Sequence, residues 1–537
     1  MLSLKRVSKP WPLCLAVALW MSLQPAGVHA ADATMAWFDG ERPNAQAQVA
    51  VRLLLDAPSH GLDVRDYGGE ALRLALDRAL QGPTPERAAA ERLDQALNAA
   101  LLRYLRDLHD GRVAPAQMRH QYKPAAPRAP FDAAAALRAG LAMQDVALAA
   151  RQAAPSLPLY ERLREALASY RTLGDHAAWR QGLPALPLPP RSPTRRLDPG
   201  QPWSGVSLLA ERLAALGDLP PAEQAATPGR TPYDGALVAA VQSFQLRHGL
   251  DGDGVIGRAT LDALNVPPAR RVRQLELALE RLRWTPLLRG PRMIVVNIPE
   301  FVLRAYEVQG ERIAVRVESR VIVGKALDTR TPLIEEELRH IEFQPYWNVP
   351  PSIARKELVP RLRRDPSYWV REGFEFVGAG AADPVLAEAK LQAVLAGQLR
   401  IRQRPGPRNA LGDIKFVFPN SESIYLHHTP SVGLFARARR DFSHGCIRVE
   451  QPVALAAFAL QGRVPWDEPR IRRAMTEDEP STVRLEQPVP VLIAYGTALV
   501  KQGRVHFFED LYGHDAALDA ALRRPREAAF PSHLLAP

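Results

Sequence analysis

The stretch "SIYLHHTPSVGLFARARRDFSHGCIRVEQP", residues 423–452, decides how this chain is read. Its first part, "SIYLHH", reads as the end of a strand, and "FSHGC" as a segment that returns beside it. The stretch holds Cys446 together with His427, His428 and His444. A thiol attacks acyl groups as the thiolate, and a neighbouring imidazole can take the proton and later return it. His427 stands nineteen positions before Cys446, and a strand, a loop and a return bring the two together. Gly445 directly precedes the cysteine. A glycine there lets a substrate carbonyl come close to the backbone, so main-chain N–H groups at Gly445 and Cys446 are candidate oxyanion donors.

Two other readings compete. Cysteine and histidine both suit zinc, but adjacent histidines on a strand point to opposite faces, and no CxxC pair accompanies them. A buried inert thiol fits poorly with the arginines and histidines that crowd the loop. The residues favour cysteine acyl chemistry with no metal and no cofactor.

Around this stretch the texture is β. "MIVVNI" (293–298), "FVLRAYEV" (301–308), "RIAVRVES" (312–319) and "SRVIVG" (319–324) are short β-branched runs separated by turns or charges. "HIEFQPYWNVP" (340–350) and "IKFVFP" (414–419) continue the series. Between about 352 and 408 the pattern lapses into charged, helix-like segments, expected as an insertion covering the site. After Cys446 the sequence predicts a helix at 452–462, a strand at 490–500 and a last helix at 516–524.

Toward the N-terminus, residues 31–183 read as helical and rich in Ala and Leu, with Leu97, Leu101, Leu105 and Leu108 on one face. Residues 184–202 are proline-rich and read as a linker or extended connector. Residues 203–266 form a compact three-helix unit. Its "DGDG" turn is no calcium loop, because Val255 and Ile256 stand where an oxygen ligand and the sharp-turn glycine belong. Residues 267–289 make a connecting helix, with Val272, Leu275, Leu279 and Leu282 at helical spacing.

The chain's 537 residues suggest about three or four domains. Lys5, Arg6 and Lys9 followed by "PLCLAVALWMSL" and "VHA" have the layout of a secretory signal over residues 1–30, cleaved near Ala30. Its apolar core is short for a membrane span, so no stable span is expected after cleavage. Removing its three basic residues takes the formal charge from +11 to +8, and removing Cys14 leaves Cys446 as the single cysteine. One cysteine forms no internal disulfide, and an exported free thiol is open to oxidation, so its presence asks for a reason. The basic balance favours an anionic partner. Export argues against nucleic acid, and no basic block with interleaved aromatics supports it.

Two resemblances join these observations. "AVQSFQLRHGL" followed by "DGDGVIGRATLDAL" is similar to the small three-helix peptidoglycan-binding domain of wall enzymes. Residues 290–500 resemble the YkuD-type L,D-transpeptidase catalytic domain, whose signature is a histidine in H-x-T and then, about twenty residues on, S-H-G-C-x-R. Here these are His427, Thr429, Ser443, His444, Gly445, Cys446 and Arg448. "LLRYLRDLHDGRVAP", "QPYWNVPPSIARKE" and "LGDIKFVFPN" are similar to the long exported form of the family. The resemblance implies a multidomain α+β protein: a helical scaffold domain, a peptidoglycan-binding domain, a β-rich catalytic domain with a capping insertion, and a C-terminal segment, 501–537. It implies a periplasmic enzyme in which Cys446 attacks a peptide stem and expels D-Ala. His427 would move the proton, His444 would assist, and the Gly445 backbone would hold the oxyanion. Arg448, Thr429 and Ser443 would serve substrate binding, and Arg437, Arg439 and Arg440 would draw stem carboxylates or simply face solvent. The family commonly has a small or acidic residue where this chain has His428, which leaves His427 and His428 as rival bases. Hydrolysis of the same bond, or wall binding without catalysis, are the alternative functions.

Overall fold

The computed structural model describes residues 35–118, 131–188, 193–220, 232–288, 290–310, 312–327, 329–380, 382–462 and 466–531. The expected signal segment, with Cys14, lies outside them. Among the described residues no helix is long and apolar enough to cross a membrane.

The N-terminal part begins with a small hairpin, β1 (Phe38–Asp39) and β2 (Arg42–Pro43), and continues as the helices Ala45–Leu55, Gly69–Gln81, Arg87–Asp110, Ala133–Ala142 and Val146–Ala153. Asn44 accepts from Ala47 N, and Asp132 from Ala134 N and Ala135 N, so each satisfies amides that its helix leaves free. Leu97, Leu101, Leu105 and Leu108 are all fully buried, on one face of the Arg87–Asp110 helix. Helix Pro158–Leu173 packs elsewhere. Its Tyr160, Leu163 and Leu167 share a core with Leu275 and Leu279 of helix Pro268–Trp284 and with Phe507.

The helices Val206–Ala215, Ala236–Arg247 and Arg258–Asn265 enclose a third core around Trp203, Leu209 and Phe244. The proline-rich connector is extended but not loose. Leu186 and Leu197 are buried in that core, and Leu197 exchanges backbone hydrogen bonds with Ile256, both at 3.0 Å. In the "DGDG" turn, Asp253 Oδ1 accepts from Val255 N and from Gln245 Nε2, so the carboxylate serves the turn itself.

The C-terminal half is built on a nine-stranded sheet. Its first strands are β3 (Arg292–Asn297), β4 (Val302–Gln309), β5 (Arg312–Gly324) and β6 (Glu335–Phe343). β7 (Trp347–Asn348) lies just before the insertion, which contributes β8 (Phe374–Val377) and β9 (Arg400–Gln403). Then come β10 (Ile414–Val417), β11 (Leu426–His427), β12 (Asp441–Ser443), β13 (Ile447–Val449), β14 (Ser481–Ala494), β15 (Ala498–Lys501) and β16 (Arg504–Phe507). The large sheet has the order β12-β5-β13-β11-β10-β6-β14-β3-β4, and β15 pairs with β16.

Three expectations are corrected here. "RIAVRVES" and "SRVIVG" are one strand, β5, of 13 residues. The charges that look like a break are taken up by neighbours: Arg304 Nε donates to Glu318 at 2.6 Å and Arg320 Nε to Glu450 at 2.7 Å. The run at 490–500 is the end of β14 and the start of β15, parted at Gly496, whose N–H donates to Asn297 Oδ1 at 2.8 Å. The insertion is not only helical. β9 pairs with both β7 and β8 in a three-stranded sheet, and Trp369, Phe374 and Phe376 make a separate small core beneath it.

Candidate active site

The register of the large sheet assembles the site. His427 on β11 stands opposite Lys415 on β10 and opposite Arg448 on β13, and Lys415 stands opposite Glu342 on β6. Directly opposite residues project from the same face, so Glu342, Lys415, His427 and Arg448 form one polar row across four strands. The adjacent row, Ile341, Phe416, Leu426 and Ile447, is fully buried in the apolar core. Side chains alternate along a strand. Tyr425, two before His427, and Cys446, two before Arg448, therefore lie on the polar side too. Ile447 N–H donates to Tyr425 O at 3.1 Å, and Tyr425 acts on the Cys446 thiol, favouring its ionised form.

Cys446 is half-buried, and its sulfur lies 3.7 Å from the Ser423 carbonyl. Burial pushes the thiol pKa up, against hydrogen bonds from Tyr425 and the charges of Lys415 and Arg448. Lys415 sits with its ammonium 4.6 Å from the Tyr425 ring centroid and 3.0 Å from Glu342. Arg448 carries an Nε that is buried without a hydrogen-bond partner among the described residues.

His427 is 4% exposed, and its Nδ1 meets the carbonyl of His428. A carbonyl only accepts, so Nδ1 carries the proton and Nε2 keeps the lone pair, an assignment made from the hydrogen-bond network. Burial first, and then the Arg448 charge, lower the ring's pKa from 6.5 to about 3, which keeps it neutral near pH 7. His428 turns its own ring to Asp413, with Nδ1 at 2.8 Å from Oδ1. The two adjacent histidines thus play unlike parts, the first presenting a ring and the second a carbonyl. His427 ends β11 and Cys446 immediately precedes the neighbouring β13, but the two share no hydrogen bond among the described residues.

The loop before β13 is tied to itself. Ser443 is 2% exposed; its hydroxyl donates to Cys446 O at 2.5 Å and accepts from Gly445 N at 3.2 Å. The Gly445 N–H, expected as an oxyanion donor, is therefore engaged inside the loop. The Cys446 N–H has no protein partner among the described residues. Gly445 takes φ +117°, a value glycine adopts freely. Thr429, 1% exposed, accepts from Ser431 N at 3.2 Å and shapes the turn after β11. His444 is exposed and its Nε2 lies 2.7 Å from Glu357 of the insertion, so it faces the insertion.

The arginine run divides. Arg439 pairs with Asp441 at 2.8 Å. Arg440 is buried and donates to the carbonyls of Val321, Phe301 and Arg437, so it anchors the loop. Tyr425 and Lys415 were missed from sequence. Alternation from His427 points to Tyr425, but nothing local points to Lys415, which only the pairing of β10 with β11 brings in. Among the described residues no group of three His, Cys, Asp or Glu side chains is placed to hold a metal ion.

Residues 291–471 match the family model described as "L,D-transpeptidase catalytic domain", YkuD. Residues 29–167 match "Scaffold domain", and residues 204–264 match "Putative peptidoglycan binding domain". A "Putative L,D-transpeptidase" of Haemophilus influenzae is 31% identical over 295 residues, covering 53% of this chain and 58% of that relative. A crystal structure of an L,D-transpeptidase (Yku) from Stackebrandtia nassauensis matches at 13% identity and a TM-score of 0.23, over 56% of this chain and 97% of that one. A superposition that loose carries no argument. From the three family models, the chain carries a YkuD-type L,D-transpeptidase catalytic domain, preceded by a scaffold domain and a peptidoglycan-binding domain.

Proposed function

We propose that the chain is a peptidoglycan L,D-transpeptidase that forms 3→3 cross-links through a cysteine thioester. The observation that supports this best is the polar row on the sheet. It sets the imidazole on β11 and the thiol just before the neighbouring β13, with the imidazole's Nδ1 proton held by a carbonyl so that Nε2 keeps its lone pair. In the first half-reaction Cys446 Sγ adds to the carbonyl between the diamino acid and D-Ala of a tetrapeptide stem, and its proton passes to His427 Nε2. The tetrahedral oxyanion is met by the Cys446 N–H. The C–N bond then breaks, and D-Ala leaves as an amine with the proton that His427 returns. In the second half-reaction the side-chain amine of another stem attacks the thioester, His427 takes its proton, and the thiol is regenerated. The Nε of Arg448, buried and without a hydrogen-bond partner among the described residues, suits a stem carboxylate as substrate partner. Preorganised donors of this kind act strongly where water is excluded.

The proposed organisation gives residues 31–183 to the scaffold, 203–266 to wall docking and 290–500 to catalysis. The signal segment would send the chain to the periplasm, where peptidoglycan is the anionic partner its basicity favours. The deciding experiment incubates the purified protein with disaccharide-tetrapeptides and follows products by mass spectrometry. A dimer lighter by one D-Ala supports transpeptidation. Tripeptide monomers alone would instead mean hydrolysis, and any product from Cys446→Ala would refute the thioester.

A further inference from the structure

The peptide that joins Gly445 to Cys446 is held from one side. Thr331, 1% exposed, donates its hydroxyl to Gly445 O at 2.8 Å. The same hydroxyl accepts from Gly324 N at 2.9 Å. Thr331 is in turn held by Tyr512, which comes from the C-terminal segment. The Tyr512 hydroxyl donates to Gly324 O at 2.6 Å and accepts from Thr331 N at 3.3 Å. The donor directions are forced, since the Gly324 and Gly445 carbonyls can only accept and each hydroxyl has a single proton. Tyr512 is itself fixed, because its N–H donates to Tyr495 OH at 2.8 Å and Tyr495 donates to Asp510 at 2.7 Å. The approach leaves no slack at Gly324, where a Cβ would stand 1.9 Å from Thr329 O.

A peptide unit is planar and trans, so its C=O and N–H point in opposite directions. Fixing Gly445 O therefore fixes the Cys446 N–H, which belongs to the same peptide and has no protein partner among the described residues. The ties that close the loop on itself do not set this plane. Ser443 holds Gly445 N and Cys446 O, which belong to the peptides on either side.

We propose that Thr331 and Tyr512 are positioning residues that aim the Cys446 N–H at the oxyanion of the acyl-transfer step. Neither touches the substrate. Thr331 acts on the peptide directly, and Tyr512 acts through Thr331 and Gly324. The inference rests on the reading of Cys446 as nucleophile. It also assigns the C-terminal segment a part in catalysis, although that segment lies after the 291–471 stretch that matches the catalytic family.

The test compares Thr331→Val, Thr331→Ser and Tyr512→Phe in the full chain. Two reactions of Cys446 are measured: acylation by a disaccharide-tetrapeptide, and alkylation by iodoacetamide, with labelling at Cys446 read by peptide mass spectrometry. Alkylation at sulfur develops no oxyanion, so it reports the thiol alone. Thr331→Val is expected to lower kcat for acylation about ten- to a hundredfold with KM little changed, a part of the loss seen when an oxyanion donor is deleted outright. Tyr512→Phe should lower it by a smaller factor, Thr331→Ser should restore most of the rate, and alkylation should stay at the unsubstituted rate in all three. Equal losses of acylation and alkylation would mean that the thiol was disturbed, and would overturn the inference. So would unchanged acylation in Thr331→Val. If the Val variant fails to fold, Tyr512→Phe and Thr331→Ser still decide by the same ratio. Acylation surviving in Cys446→Ala would instead remove the reading beneath it, an outcome separate from either of these.

Discussion

At the scale of single residues, the two histidines that sequence left as rivals differ in what they offer. His427 is buried with a fixed tautomer, whereas His428 lends a carbonyl and ties its ring to Asp413. His427→Ala should lower acylation by about 10²–10⁴, the usual loss on removing a general base. His428→Ala keeps the carbonyl and should cost far less. Equal losses from both would contradict the roles drawn from this geometry. The pH profile offers a second check. A ring with its pKa lowered to about 3 stays unprotonated down through the weakly acidic range, and its lone pair is lost only when pH falls toward that value. Single-turnover acylation should therefore show no protonation limb near pH 6.5, and a limb centred there would show that the ring is solvated. Cysteine and histidine were legible in the sequence because their residue types are rare and chemically loaded. The choice between neighbours was not, because it depends on which backbone carbonyl lies beside which ring.

At the scale of elements, the insertion behaves as a small unit with its own packing. Trp369 is 1% exposed, its ring centroid lies 4.4 Å from that of Phe376, and its Nε1 donates to Pro384 O at 2.7 Å. Trp369→Ala should cost this unit about 3–5 kcal/mol. Hydrogen exchange should then show the amides of β8 and β9 losing protection while those of β10 and β11 keep theirs. Uniform loss across both sheets would mean that the insertion and the large sheet fold as one. Helices were read well from the sequence, since a face such as Leu97, Leu101, Leu105 and Leu108 repeats locally. Strands were read less well. β5 looked like two because its charged middle is paired across the sheet, and β8 and β9 were hidden among arginines whose partners, such as Glu375 for Arg402, are far away in sequence. Register is the part of the site that local pattern cannot supply, and Lys415 was missed for that reason.

At the scale of the whole molecule, buried charges and buried neutral histidines set how the parts hold together. The Asp218 side chain is fully buried and receives Arg247 from its own three-helix unit and Arg504 from β16. Asp218→Ala would leave Arg247 buried without its counter-charge, at a cost of about 3–5 kcal/mol. A thermal scan should register it as a large fall in Tm. Three histidines in separate cores act together on pH. His60 and His427 have pKa values lowered to about 3, and His248 is lowered well below its usual value; in each, burial is the main cause. Above an unfolded-state pKa near 6.5 neither state binds these protons. As pH falls below that point the unfolded chain takes them up and the native chain does not, so stability drops, and the drop continues until the native rings titrate near 3. For each of the two with a value, the loss at pH 5 is about 2 kcal/mol. Glu300, lowered to about 2 chiefly by Arg304 against the opposing effect of burial, adds its loss only in a more acid window, below its ordinary value of 4.5. Thermal scans at pH 7, 6 and 5 should therefore show Tm falling at each step well before carboxylates titrate. A Tm unchanged between pH 7 and 5 would mean that these three rings are hydrated and protonate freely, and the tight interior cores described for all three parts would then be wrong.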